Sequence, residues 1–226
     1  MSGIDWQALL LSARLAAVVV VILVALGLPL AWWLTFHRSR WTFIAEAIVA
    51  LPLVLPPTVL GFYMLIAMGP RSPLGQLWER MTGHGLAFTF EGLVLASLLY
   101  SLPFVVQPIA TALGQIDPAL HEAAAMLGAS RLRTFTTVTM PLARDGIIAG
   151  AVLGFAHTLG EFGVVLMVGG NLPGVTRTVS VSIYDQVQGF QFAEANLTAL
   201  VLLLVSLASL ASVYALLRKP WAVSAA

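Results

Sequence analysis

The sequence predicts an all-α integral membrane protein: about five transmembrane helices, a short helix in one inter-span loop, the N-terminus outside and the C-terminus cytoplasmic. Three observations predict it. Of the 226 residues, 59% are hydrophobic and only 9% charged, against roughly 25% charged in a soluble domain. Such a chain cannot coat a soluble globule and is too apolar for a disordered one. Four stretches carry no Asp, Glu, Lys or Arg: Leu15 to Phe36, Ala47 to Pro70, Gly92 to Ile116 and Ala195 to Leu217. Each exceeds the roughly 20 apolar residues that cross a bilayer. A fifth stretch, Gly146 to Val168, is apolar apart from His157 and Glu161.

Taken in order, the predicted spans are 10–36, 44–69, 91–114, 142–168 and 195–217, all in one transmembrane domain of residues 1–226. The first does not read as a signal peptide, whose apolar core of roughly 7–15 residues follows a basic region. Here the apolar run is longer and the cluster His37-Arg38-Ser39-Arg40 comes after it. With the N-terminus outside, the cytoplasmic segments hold Arg38, Arg40, Arg131, Arg133, Arg144, Arg218 and Lys219. The outer side holds Arg14, Arg71, Arg80 and Arg177. That asymmetry sets the orientation. Trp32, Trp33 and Trp41 mark one membrane interface. Arg71 to Glu91 and Asn171 to Glu194 read as outer loops.

Composition also narrows the function. A net charge of +1 gives no case for nucleic acid, and the absence of cysteine excludes thiolate and disulfide chemistry. His37, His84, His121 and His157 are scattered, so no metal site and no catalytic constellation is expected. There is no room for a nucleotide-binding domain and no phosphate loop.

The loop from Asp117 to Arg144 carries the clearest local signals. Asp117 suits a helix N-cap, Pro118 the first helical position and Gly128 the left-handed position past the end. The helix predicted over about 118–128 places Leu120, Ala123, Ala124 and Leu127 on one stripe. It is too short to stand alone in water, so its stripe meets either lipid headgroups or a partner protein.

Glu122-Ala123-Ala124, Gly128 four residues after Ala124, and then Met140-Pro141 resemble the EAA motif of ABC importer permeases, with Met140 where that motif usually has Leu. Leu51-Pro52-Leu53-Val54-Leu55-Pro56-Pro57-Thr58-Val59-Leu60-Gly61-Phe62-Tyr63, Leu159-Gly160-Glu161-Phe162-Gly163 and Ser182-Ile183-Tyr184-Asp185 are similar to molybdate permeases, with sulfate permeases close by. The resemblance implies an ATP-driven importer subunit for a tetrahedral oxyanion, with molybdate first and sulfate or tungstate as alternatives, in the bacterial inner membrane. It implies that Glu122, Ala123, Ala124, Leu127, Gly128 and Pro141 belong to the segment that couples to the ATPase. It further implies a second copy of the chain, two cytoplasmic ABC ATPase subunits and an extracytoplasmic molybdate-binding protein. ATP and Mg²⁺ would sit on the ATPase, with no catalytic residue, metal or cofactor on this chain.

Pathway or gate candidates are Pro56, Pro57, Thr58, Gly160, Glu161, Gly163 and Arg177. Pro52, Pro56 and Pro57 free backbone carbonyls that cannot face lipid. The result is either a kinked helix or a break lining a pathway. An acid within a span is costly. Glu161 can pair with His157 four residues earlier; it reads either as a structural carboxylate bonded to His157 or to backbone donors near the helix end, or as a proton or cation site of an ion-coupled carrier. Thr176 to Ser182 alternates polar and apolar residues and reads as an extended outer loop. The alternative is a re-entrant piece in which Arg177 meets entering anions.

Overall fold

The computed structural model describes residues 3–37 and 39–216. Leu217 and three of the cations used above for orientation, Arg38, Arg218 and Lys219, lie outside them. Four helical runs are long and apolar enough to cross a membrane, and a fifth crossing results if one bent pair counts as a single span.

Helix α1 (Trp6–Phe36) starts earlier than the predicted residue 10 because the Asp5 carboxylate accepts the Ala8 N–H at 3.0 Å. Its first turns carry Arg14, whose guanidinium lies over the Phe90 ring. The second predicted span is not one rod. It forms α2 (Thr42–Val54) and α3 (Pro57–Met68), bent by 112°. A proline pushes the preceding residue out of the helical region, and two in succession do so twice. Leu55 and Pro56 both take ψ 135, and Pro57 starts the next helix. Pro52, one proline on its own, stays inside α2.

The loop predicted over 71–91 contains a further helix, α4 (Pro73–Thr82), capped by the Ser72 hydroxyl and ended by Gly83 at φ +79. Helix α5 (Phe90–Gly114) matches the third span. The helix expected over 118–128 is α6 (Pro118–Met126), followed by α7 (Arg131–Thr134). A π-turn at Phe135–Thr139 joins α7 to α8 (Met140–Gly160). The fourth span therefore begins well before residue 142, and it breaks at Glu161-Phe162 before α9 (Gly163–Gly169).

The stretch read as an extended loop is a second correction. Thr176 closes a turn onto the Leu172 carbonyl and Thr178 is extended, but α10 (Val179–Gln188) is helical, and Val179, Val181 and Ser182 are buried. Packing overrides the weak helix preference of β-branched residues here. The Val179 N–H donates to Ser12 Oγ at 2.8 Å, and Ser182 Oγ donates to Asp5 Oδ2 at 2.6 Å. Both bonds fasten α10 to the start of α1. Helix α11 (Phe192–Leu216) begins just before the predicted residue 195 and packs on α8 and α10.

Helices α1, α5 and α8 form the frame. Leu15, Val19 and Leu23 of α1 meet Val105, Val106, Ile109 and Leu113 of α5 in the main core. Gly146, Gly150 and Gly154 recur every four residues on α8 and so share one face. A Cβ at Gly146 would lie 2.6 Å from the Pro108 carbonyl oxygen, and one at Gly150 2.7 Å from that of Val105. Small residues at this spacing let two helix backbones touch where no hydrophobic effect drives helices together. A smaller core joins Met64 and Met68 of α3 to Ala96 of α5 and to Val164 and Val168 of α9.

Gly150→Val is expected to cost about 1–3 kcal/mol through overpacking. It should lower the melting temperature of the detergent-solubilised protein, whereas Gly85→Ala, at an open position, should not. An unchanged Gly150→Val would remove the close α5–α8 contact from the account.

Candidate coupling segment and helix breaks

Helix α6 forms for the local reasons expected. Asp117 accepts the Ala119 N–H at 2.9 Å, Pro118 opens the helix and Gly128 takes φ +76. No residue of α6 is buried. Met126 and Leu127 are 89% and 87% exposed, and Glu122 and Ala123 are exposed beside them, with Ala124 half-buried. This is an apolar surface that no described residue covers. Pro141 stands in the first turn of α8, exposed.

Sequence reasoning did not find how α6 is attached to the spans. His121 Nε2 and Thr139 Oγ1 share a hydrogen bond of 3.0 Å, and Thr139 is buried at the end of the π-turn. The His121 ring also meets the edge of Phe36, and Phe135 meets Trp32 edge-on at 5.2 Å between centroids. A cavity of about 400 Å³ lies between α1, α6 and the π-turn, lined by these aromatic rings and Arg131. A π-turn adds one residue to a helical turn and often marks a functional position. The signal legible in the sequence was a histidine on a helix otherwise rich in alanine.

The pathway candidates gather where the two broken spans meet, because α3 packs against α9. A Cβ at Gly163 would lie 2.6 Å from the Cβ of Pro57, and one at Gly61 2.7 Å from that of Met167. Glycine is required at both positions by this approach. Pro56, Thr58 and Gly160 are exposed around the contact and Pro57 is half-buried. The Gly160 carbonyl, released by the break, accepts from the Ser180 hydroxyl at 3.1 Å.

Glu161 sits on the break, in extended conformation and 4% exposed. The pairing with His157 does not form. The i, i+4 rule holds only along a continuous helix, and the helix stops at Gly160. His157 Nδ1 instead bonds Ser101 Oγ at 2.9 Å, and Ser101 also bonds Thr158. The His157 ring stacks on Phe104 at 3.8 Å and packs against Tyr100. Neither carboxyl oxygen of Glu161 makes a hydrogen bond of good geometry among the described residues; the buried Ser97 hydroxyl beside it is the donor within its reach. Arg177 donates to Asn171 and forms an ion pair of 3.5 Å with Asp185, so its charge is already partly matched.

Comparisons with known proteins agree on the family. Residues 23–219 match the family described as "Binding-protein-dependent transport system inner membrane component". The chain is 51% identical over 210 residues to the "Molybdenum transport system permease protein ModB" of Azotobacter vinelandii, covering 93% of each chain. It is 40% identical over 184 residues to the protein of that name from Escherichia coli (strain K12), covering 81% of this chain and 80% of that one. A crystal structure of a bacterial ABC transporter involved in the import of the acidic polysaccharide alginate shares the fold. The TM-score is 0.74 at 17% identity, over 94% of this chain and 79% of that chain. The chain belongs to the binding-protein-dependent transport system inner membrane component family, among its molybdenum permeases, and is a multi-pass protein of the inner membrane.

Proposed function

We propose that the chain is the permease subunit of an ATP-driven importer that carries molybdate across the inner membrane. The observation that carries this reading is α6: a capped helix between two spans, with an apolar surface that no described residue covers. The relatives' names supply the cargo. Two copies enclose one pathway, because five spans from one chain make half of it. Each copy presents α6 to one of two ATPase subunits, which hold ATP and Mg²⁺. An extracytoplasmic binding protein delivers the anion from the other side. The N-terminus lies outside and the C-terminus in the cytoplasm, the side that carries more Lys and Arg.

The chain performs no chemistry; it converts motion. Closure of the ATPase pair displaces α6. His121 passes that displacement to Thr139 and the π-turn, and hence to α8. Helix α8 ends at the break that packs on α3, so a shift of α8 acts on Pro57, Gly163 and their exposed neighbours. This is alternating access through a two-state element. Molybdate, tungstate and sulfate are all tetrahedral dianions, and competition for uptake ranks them.

Glu122→Ala and Gly128→Pro should lower ATP-dependent uptake by roughly fivefold or more, the scale of one coupling interaction, with membrane insertion intact. Normal uptake in both variants would sink the coupling role of α6. His121→Phe should keep the ATPase bound while raising the ATP hydrolysed per anion moved, and His121→Gln, which retains a hydrogen-bonding side chain, should restore the ratio. Equal ratios in all three proteins would remove His121 from the linkage.

The buried Glu161 favours one rival reading, an ion-coupled carrier. Uptake by Glu161→Gln should still require ATP and ignore a collapsed proton gradient. Loss of uptake together with a measurable proton flux in the native protein would favour the carrier.

A further inference from the structure

Helix α5 carries Gln107 and Thr111 at i and i+4, and Gln115, its C-cap residue, continues the series at i+8. At about 100° per residue these positions fall within one narrow face. All three residues are exposed, and no described residue bonds to any of the three side chains. Two grooves flank this face. One, about 490 Å³, runs between α5 and α8 and is lined by Phe104, Gln107, Pro108, Thr111, Gln115 and Asp145. The other, about 550 Å³, runs between α5 and α2, and Gln107 and Thr111 line it too. Either volume exceeds ten waters at about 30 Å³ each.

Amides and hydroxyls in a spanning helix do not face hydrocarbon without cost. A second observation concerns the backbone. Pro108 lies inside α5 and has no N–H, so the Phe104 carbonyl one turn earlier loses its helical donor. Phe104 and Pro108 both line the α5–α8 groove. Side chains and backbone therefore call for the same thing, a hydrogen-bonding solvent along one face of α5.

We infer that the α5 face of Gln107, Thr111 and Gln115 lines a water-filled passage for the tetrahedral oxyanion, on the α6 side of the membrane. The inference rests on the permease reading and adds residues to it. The face offers neutral N–H and O–H donors and no fixed cation, so an anion finds successive weak partners and is not retained. At its deep end the groove meets the stack of Phe104 on His157, next to the α8–α9 break. That stack forms the floor of the passage. At the other end stand Glu46 and Asp145, the latter 3.3 Å from Arg144.

The chain contains no cysteine, so a single substitution gives a unique thiol on the permease. Gln107→Cys, Thr111→Cys and Gln115→Cys should be tested in the assembled transporter in inside-out vesicles. The probe is 2-sulfonatoethyl methanethiosulfonate, an anionic reagent that does not cross lipid. Each is expected to react about tenfold or more faster than Leu204→Cys on the apolar face of α11, since access governs thiol reactivity. Excess molybdate should slow the reaction, and labelling should stop uptake while the ATPase stays bound. No labelling at Gln107→Cys and Thr111→Cys, or labelling that molybdate does not slow, would overturn the inference. Failure of the permease reading itself would appear separately, as ATP-independent uptake or absence of a bound ATPase in the unsubstituted protein.

Discussion

A backbone N–H or C=O without a partner cannot sit in hydrocarbon, and among the described residues two spans break outright, at Leu55-Pro56 and at Glu161-Phe162. Both are solved together. The break at Leu55-Pro56 and the break at Glu161-Phe162 are brought into contact, α3 against α9, with Gly163 on Pro57 and Gly61 on Met167. The freed Gly160 carbonyl takes a hydroxyl from Ser180, which belongs to the short helix α10. Helix α10 is in turn held by Ser12 and Asp5 at the start of α1. A chain of named bonds thus runs from the irregular centre to the first turns of the protein.

The remainder divides into a frame and a linkage. The frame is α1, α5 and α8, in which glycines at four-residue intervals put the α8 backbone directly against Val105 and Pro108. Such a contact tolerates little sliding, since no flexible side chain lies between the backbones to absorb it. The linkage is α6, joined to the spans by His121–Thr139 and by the Trp32, Phe36 and Phe135 rings. Displacement of α6 consequently meets a hydrogen-bonded π-turn first and the rigid frame second. A π-turn often marks a functional position, and here it stands at the junction between α6 and the frame.

The sequence was legible where the physics is local. Asp117, Pro118 and Gly128 each specify a cap position by their own chemistry, and α6 forms between them. The charge-free stretches located the spans because their length against the bilayer is a one-dimensional property. The prolines announced an irregular second span but not its angle, which depends on what α3 packs against. His157 and Glu161 were misread because their pairing assumed a helix that ends between them. Thr176 to Ser182 was misread because alternation looks extended, while the decisive contacts come from Ser12 and Asp5, more than 160 residues away. Gly146, Gly150 and Gly154 were in plain view, but a small-residue face acquires meaning only once the opposing carbonyls are known. Gln107, Thr111 and Gln115 carry no charge and so disappeared into an apolar window.

The distribution of charge then says where selectivity can lie. In the proposed importer the cargo is a dianion, yet among the described residues no Lys or Arg is buried in the membrane core to receive it. Arg177 is engaged by Asp185 and Asn171, and Arg14 lies over an aromatic ring. The one ionisable group buried at the breaks, Glu161, has the wrong sign for an anion site. A fixed cation in the passage would bind the dianion through a charge-assisted hydrogen bond, roughly twice as strong as a neutral one. It would lower the free energy of the occupied passage more than that of the exit and so slow release. Neutral donors avoid that trap, but for the same reason they distinguish poorly between oxyanions of equal charge and shape. A permease built this way gives up discrimination in the membrane in exchange for release. The choice of anion then falls to the extracytoplasmic binding protein, before the anion enters.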